Sequence, residues 1–185
     1  NIEFTHEHNE LLKGVSRVRS LDIILELGKV EATQEDKDKW LIQKNEDYLS
    51  YLVDMDESEI LPGVFTILQL LKDKNQGIAL GSASKNARPI LEKTGILSYF
   101  DVIVDGNDVT NAKPDPEVFL KAAQLLNIDP KNAIVFEDSV AGIRAANIGD
   151  MVSVGIGEET ILHEADYIFK DFTQITTSFI EKLIN

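Results

Sequence analysis

Residues 134–139, Ile-Val-Phe-Glu-Asp-Ser, restrict the fold of this chain more than any other segment. The segment opens with an apolar run rich in β-branched residues, which is typical of a short buried strand. It then ends in two adjacent carboxylates, and a helical pattern over residues 140–147 follows at once. A buried strand that leads directly into a helix indicates an open α/β sheet, in which ligands bind beyond the carboxyl ends of the strands.

Glu137 and Asp138 therefore stand at the position where such a sheet binds its ligands. Two neighbouring carboxylates repel each other unless a positive charge lies close to both. A hard divalent cation with oxygen ligands, above all Mg²⁺, is the natural candidate, so we expect these residues to bind a metal ion. The alternative is that one of the two acids only caps the helix that follows.

The chain divides into a helical part and an alternating part. Residues 1–60 show apolar residues at helical spacing and no convincing strand, which predicts a small helical domain. From Leu61-Pro62-Gly63 onward, short apolar strands alternate with helices as far as residue 185. This alternation predicts a Rossmann-like, doubly wound parallel sheet, with helices on both faces, over residues 61–185.

Individual elements follow from the same patterns. Thr33 with Asp36 predicts a capped helix start, and Gly28 a helix end. The first helical segment is predicted over residues 9–16 and the last over residues 172–183. The predicted strands lie at residues 77–81, 102–104, 133–136, 151–155 and 167–169.

The charge of the chain limits the class of partner. The formal net charge is −14, which argues against nucleic acid or an anionic membrane as a partner, because both require basic surfaces. A small phosphorylated ligand needs only a few local cations and stays possible. There is no cysteine and no apolar run of membrane-spanning length. We expect a cytoplasmic monomer.

Two further groups follow predicted strands. Ser82, Ala83, Ser84, Lys85 and Asn86 join a strand to a helix, which brings hydroxyls, backbone N–H groups and a helix N-terminus to one point suited to phosphate. The alternative for this stretch is a helix cap without a ligand.

Lys113 precedes Pro114, which favours an extended conformation just before a helix. A lysine held there can reach an anion at the edge of the sheet. The alternative is an ordinary solvated loop lysine. If the hydroxyl-rich loop, Lys113 and the acid pair all follow strands of one parallel sheet, they converge on one crevice. Such a crevice is equipped for phosphoryl transfer, although a nucleophile is missing.

These residues resemble the motifs of the haloacid dehalogenase superfamily, and within it the β-phosphoglucomutase family most closely. Residues 82–86 are similar to the second motif of the superfamily, residues 113–116 to the third, and residues 137–143 to the metal-binding fourth. In the helical part, residues 12–17 and 44–45 also resemble the mutase pattern. The resemblance implies that the helical part is a cap domain over an α/β core domain.

The first motif of the superfamily, an Asp-x-Asp-Gly loop that carries the phosphoryl-accepting aspartate, does not occur in this sequence. Asp54-Met55-Asp56 is the nearest imitation, and we reject it because no glycine follows and it lies where a cap-to-core connection belongs. We expect that the chain begins inside the cap, that the first core strand is absent, and that the 185 residues alone are inactive.

The resemblance also implies roles for individual residues. Glu137 and Asp138 would ligate or support Mg²⁺, with Asp138 as the more usual direct ligand. The residues implied to hold the transferred phosphoryl group are Ser82, Ala83 and Lys113. Of these, Lys113 and Ser82 are the catalytic candidates. Those implied to hold the second phosphate of a bisphosphate intermediate are Arg17, Ser84, Lys85 and Asn86. Those implied to contact the sugar from the cap are Gly14, Val15, Ser16 and Lys44.

Three functions remain open at this point. The first is a mutase that interconverts β-glucose 1-phosphate and glucose 6-phosphate through an aspartyl-phosphate. The second is a sugar-phosphate phosphatase of the same superfamily, in which water replaces the sugar hydroxyl. The third is a non-catalytic phosphate-binding protein.

Overall fold

The structure, a computed structural model, describes residues 2–184. The α-helices are α1 (His6–Glu10), α2 (Arg17–Gly28), α3 (Gln34–Tyr51), α4 (Val64–Asp73), α5 (Ala87–Lys93), α6 (Glu117–Leu126), α7 (Val140–Ile148), α8 (Glu159–Leu162) and α9 (Thr177–Ile184). The strands are β1 (Ala79–Gly81), β2 (Val102–Val104), β3 (Ile134–Glu137), β4 (Val152–Ile156) and β5 (Tyr167–Phe169).

Four α-helices, α1 to α4, precede the first strand. Helix α3 begins where the sequence predicts, because the Thr33 hydroxyl oxygen accepts from the Asp36 N–H at 3.2 Å and the Asp36 carboxylate accepts in return from the Thr33 N–H at 3.4 Å. Helix α2 extends through Gly28, and Lys29 rather than the glycine takes the left-handed conformation that ends it. The division of the chain into domains at residues 60 and 61 stays a prediction.

The strands form two parallel sheets rather than the one sheet that the sequence predicts. Strand β1 pairs with β2, and the order of the second sheet is β3–β4–β5. Every pairing is parallel, as for Leu80 with Ile103 and Phe136 with Val154. The fold class is confirmed, because strands that alternate with helices form parallel ladders, as in other α/β folds.

Helices cover both faces of these sheets. Val135 packs in a core cluster with residues of α6 and α7, whereas its neighbour Phe136 packs on the opposite face with residues of α4 and α9. In the first sheet, Leu80 and Ile103 pack against α4 and α5. Alternate strand residues point to opposite faces, so apolar side chains at successive positions require a helical layer on each side.

Two predicted helices have the wrong bounds. The predicted helix over residues 172–183 is a 3₁₀ turn at Phe172–Gln174, then extended Ile175, then α9. The interruption lets Ile175 pack in the core, where it is only 9% exposed. The predicted helix over residues 9–16 ends instead at Glu10, and Gly14 adopts a left-handed φ of 74°. No helix within residues 2–184 has the length and apolar character needed to cross a membrane.

Candidate active site

The loop over residues 82–86, hereafter the phosphate loop, connects β1 to α5 and is braced by its own hydroxyl groups. The Ser82 N–H donates to the Val104 carbonyl at 2.9 Å, which holds the start of the loop against β2. The hydroxyl oxygen of Ser82 accepts from the Ser84 N–H, and that of Ser84 from the Asn86 N–H, both at 3.1 Å. In these bonds each hydroxyl oxygen is an acceptor, so its own hydrogen can still be donated to an anion.

Lys113 is buried and joins the carboxyl ends of the two sheets. Its ammonium group donates to Glu137 Oε2 at 2.7 Å and to the Gly81 carbonyl at 3.2 Å. It also lies 4.5 Å from the centre of the Phe119 ring, within the range of a cation–π interaction. The Lys113 and Glu137 side chains are only 5% and 8% exposed. The alternative of a solvated loop lysine is therefore wrong.

Ser139 holds the other side of Glu137. The Ser139 hydroxyl donates to Glu137 Oε1 at 2.7 Å, and its oxygen accepts from the Gly142 N–H at 3.0 Å as the N-cap of α7. The alternative in which an acid caps this helix is therefore wrong. Gly142 packs so closely that a Cβ atom there would lie 2.0 Å from Glu137 Cδ, which only a glycine avoids.

Asp138 differs from Glu137 because its side chain is exposed. Partial desolvation by the surrounding protein and the negative charge of Glu137 raise the pKa of the Asp138 carboxyl group, while the positive charge of Lys13 opposes the shift. An ionised Asp138 is thus held next to a second carboxylate. A cation bound between them would relieve the repulsion.

The donor atoms at this point suit Mg²⁺. Within residues 2–184 no group of three or more His, Cys, Asp or Glu side chains is arranged to hold a metal ion. Mg²⁺ does not require such a group, since one or two carboxylates suffice when water and phosphate oxygens complete its shell. Asp138 faces solvent and can ligate directly, whereas Glu137 is already shared between Lys113 and Ser139 and can support the ion.

The helical part contacts the site at two places. The side-chain amide of Asn86 donates to Oδ1 of Asn45 in α3 at 3.0 Å. Gly14 lies so close to Ser139 that a Cβ atom on Gly14 would be 2.2 Å from the Ser139 hydroxyl oxygen. One contact covers the phosphate loop and the other covers the acid pair, so the helical part lies over both groups.

The Gly14 contact leads to a matched pair of variants. Gly14 and Gly95 share the same left-handed φ of +74°, but a Cβ on Gly95 would meet nothing within 4 Å. We expect Gly95→Ala to lower the free energy of unfolding by the left-handed strain alone, about 1–2 kcal/mol. Gly14→Ala is expected to lower the free energy of unfolding by more than this, because the added methyl group also displaces Ser139 or the helical part. Urea unfolding measures both variants, and equal losses would show that the contact with Ser139 is unimportant.

Four predicted site residues of the helical part have no hydrogen bond or ion pair to the core loops among the described residues. Ser16 is the N-cap of α2, where its hydroxyl oxygen accepts from the Arg19 N–H at 3.2 Å. Lys44 is exposed, with its ammonium 5.7 Å from the centre of the Tyr48 ring. Val15 and Arg17 are half-buried. Their roles stay predictions.

Sequence reasoning assigned no role to several residues that the structure brings to the site: Lys13, Asn45, Ser139 and Gly142. A serine three positions before Gly142 is a recognisable helix start, so the role of Ser139 as a cap could have been predicted. Nothing in the local pattern indicates that Asn45 contacts Asn86, because that contact depends on how the helical part lies against the core.

Comparison with known proteins agrees with these motifs. The profile of the haloacid dehalogenase-like hydrolases matches residues 3–150. The β-phosphoglucomutase of Bacillus subtilis is 35% identical over 184 residues, which is 98% of this chain and 81% of that protein. The fructose-1-phosphate phosphatase of Escherichia coli is 33% identical over 129 residues, or 69% of this chain and 68% of that protein. The crystal structure of β-phosphoglucomutase from Clostridium difficile superposes with a TM-score of 0.93 at 39% identity, covering 100% of this chain and 84% of that one.

Proposed function

This chain belongs to the haloacid dehalogenase-like hydrolase family, and from that premise we propose that it interconverts β-glucose 1-phosphate and glucose 6-phosphate through an aspartyl-phosphate. The observation that carries the proposal is the position of the Lys113 ammonium. It contacts Gly81, directly before the phosphate loop, and Glu137 of the acid pair, so one cation joins the two groups expected to surround a phosphoryl group. The similarity to two β-phosphoglucomutases over nearly the whole chain supports the choice of sugar.

In this proposal the core residues hold the phosphoryl group during transfer. Ser82 and Ala83 donate hydrogen bonds to its oxygens, and Lys113 balances the charge that develops on them. The second phosphate of the bisphosphate intermediate lies between Ser84, Lys85 and Asn86 of the core and Arg17 of the helical part. Two anion sites on opposite sides of one cleft suit a substrate that carries a phosphate at either end.

Asp138, with the support of Glu137, would hold Mg²⁺. When bound, the ion supplies positive charge to the phosphoryl oxygens and offsets the repulsion between the two carboxylates. Ser139 keeps Glu137 in place through the 2.7 Å hydrogen bond to Oε1. The helical part, through Gly14, Val15, Ser16 and Lys44, contacts the sugar and excludes water, which would otherwise hydrolyse the aspartyl-phosphate.

The Asp-x-Asp-Gly segment that the resemblance implies as the phosphoryl acceptor does not occur in the 185 residues. In this proposal the acceptor lies on a strand between β1 and β3. Within residues 2–184, β1 pairs only with β2, and β3 pairs only with β4, so each has one free side. An aspartate at the end of such a strand would lie near the Lys113 ammonium, which contacts the ends of both β1 and β3.

The test uses the protein as its gene encodes it, with β-glucose 1-phosphate and Mg²⁺, and measures glucose 6-phosphate and inorganic phosphate separately. We expect glucose 6-phosphate as the main product, and its loss when EDTA removes the metal. Lys44→Ala is expected to lower mutase turnover about tenfold or more, because it removes a charged hydrogen-bond donor to the substrate. Lys39→Ala is the matched control, since Lys39 lies on the same helix and pairs with Glu35 at 2.8 Å.

A phosphatase is the second candidate, and the similarity to a fructose-1-phosphate phosphatase favours it. The same core residues serve both reactions, because only the acceptor of the phosphoryl group differs. Release of inorganic phosphate without glucose 6-phosphate would favour the phosphatase. If Lys44→Ala and Lys39→Ala behaved alike in a protein that does form glucose 6-phosphate, the role of Lys44 would be wrong.

A further inference from the structure

The loop over residues 105–108, which follows β2, packs against the phosphate loop but belongs to none of the motifs discussed above. We call it the bracing loop. The Gly106 N–H donates to the Ser84 carbonyl at 3.2 Å. The side-chain amide of Asn107 donates to the Lys85 carbonyl at 3.1 Å. Two successive carbonyl groups of the phosphate loop are therefore bound from the same side.

The bracing loop is itself held by hydrogen bonds. Asp105 is only 4% exposed, and its Oδ1 accepts from both the backbone N–H and the side-chain amide of Asn107, at 2.8 and 2.9 Å. The Asp105 N–H donates to Asp108 Oδ2 at 2.9 Å, and the Lys121 ammonium donates to the Asp108 carbonyl at 2.5 Å. The Asn107 amide is thus oriented by a buried carboxylate before it reaches Lys85.

The two loops are also in contact through their backbones. A Cβ atom on Gly106 would lie 2.6 Å from the Ala83 carbonyl oxygen. Backbone cannot move aside as the end of a flexible side chain can, so any larger residue at position 106 would displace the phosphate loop. Glycine at this position permits the approach that the Gly106–Ser84 hydrogen bond requires.

These contacts set the direction of the N–H groups of the phosphate loop. In a planar trans peptide the C=O and the following N–H point in opposite directions. Since the bracing loop binds the carbonyls of Ser84 and Lys85, the N–H groups of Lys85 and Asn86 point away from it. The Asn86 N–H indeed meets the Ser84 hydroxyl, and the Asn86 side chain meets Asn45 of the helical part.

We propose that Gly106 and Asn107 are positioning residues for anion binding: they turn two carbonyl oxygens away from the anion and thereby present the Lys85 N–H to it. An anion is repelled by carbonyl oxygens and bound by concave groups of N–H donors, so a rotated peptide at Lys85 would weaken the site. This inference rests on the proposed function and deepens it, because it assigns the geometry of one phosphate subsite to residues that do not touch the ligand.

The test titrates the gene-encoded protein and its variants with inorganic phosphate and, separately, with Mg²⁺, and follows backbone amides by NMR. Asn107→Ala is expected to weaken phosphate binding about fivefold, the effect of one lost hydrogen bond, and to reduce the shift of the Lys85 amide. Gly106→Ala is expected to weaken it at least as much. Asn111→Ala is the matched control, because it removes the same side chain from the segment just after the bracing loop. Mg²⁺ binding, read at the Asp138 amide, should be unchanged in all three.

The outcomes distinguish a failure of this inference from a failure of the proposed function. If the wild-type protein binds phosphate and Asn107→Ala binds it equally well, the bracing loop has no positioning role. A parallel loss of phosphate and Mg²⁺ binding in Asn107→Ala would indicate a general structural defect and would also overturn the inference. If the wild-type protein binds no phosphate at residues 82–86, the proposed function fails and this inference fails with it. Asn107 is exposed, so its variant keeps the test valid even if Gly106→Ala does not fold.

Discussion

Replacement of Lys113 by methionine is expected to lower the free energy of unfolding by about 3–5 kcal/mol. Methionine nearly matches the length of the lysine side chain but has no charge, so the buried Glu137 carboxylate would keep its hydrogen bonds from Ser139 but have no positive partner. The ion pair is 2.7 Å long, and its side chains are only 5% and 8% exposed. Burial of an unpaired charge, rather than the loss of the attraction itself, accounts for the size of this effect. Urea unfolding followed by circular dichroism measures it.

Two controls identify the cause. Lys72→Met breaks an ion pair of nearly the same length, 2.8 Å to Asp101, but those side chains are 32% and 46% exposed, so we expect a loss below about 1 kcal/mol. The double variant Lys113→Met/Glu137→Gln removes both charges and should recover most of the lost stability. If Lys113→Met cost no more than Lys72→Met, the Lys113–Glu137 pair would not be buried in solution as it is in the structure.

Asp138→Asn is expected to reduce turnover at least about 100-fold, while the metal-free protein remains as stable as the wild type or becomes more stable. The expected loss of activity follows from the proposed role of Asp138 as a direct ligand to Mg²⁺, because such an ion contributes several kcal/mol of charge stabilisation in phosphoryl transfer. The side chain is exposed, and the amide has the same size as the carboxylate. A variant that merely damaged the fold would lose both activity and stability.

The expected pH dependence follows from the pKa of Asp138. Partial desolvation and the negative charge of Glu137 raise this pKa in the folded state above its ordinary value near 4. The folded protein then binds a proton more tightly than the unfolded chain does, so stability falls as the pH rises through the raised pKa. Asp138→Asn removes this contribution. Metal-free unfolding measured at several pH values should therefore show a smaller decrease for the variant, and a steeper decrease would contradict the assigned direction.

Much of the fold follows from local patterns. The strand at residues 102–104 and that at residues 167–169 lie where the sequence predicts, because short apolar runs between turn residues have few other ways to be buried. The same is true of the capped start at Thr33, where two side chains three positions apart satisfy each other. The interruption at Ile175 could not be predicted, since its apolar spacing is also compatible with a continuous helix.

The candidate site, like the fold, could be predicted only in part from the sequence. Adjacent carboxylates at a strand end, a hydroxyl-rich loop and a lysine before proline indicated phosphate and metal chemistry without coordinates. The sequence offered no means to decide whether Lys113 was solvated or buried. It also could not show that Ser139, rather than an acid, would cap α7 and bind Glu137.

The sequence by itself determined the order of the elements, the parallel α/β class and the three groups of polar residues, because each depends on neighbours within a few positions along the chain. Only the tertiary structure decided that Lys113 pairs with Glu137, that Gly14 packs on Ser139, and that the bracing loop donates hydrogen bonds to two carbonyls of the phosphate loop. These contacts join residues that are distant in sequence. Their distances are set by the packing of helices against the sheets, which no local pattern encodes.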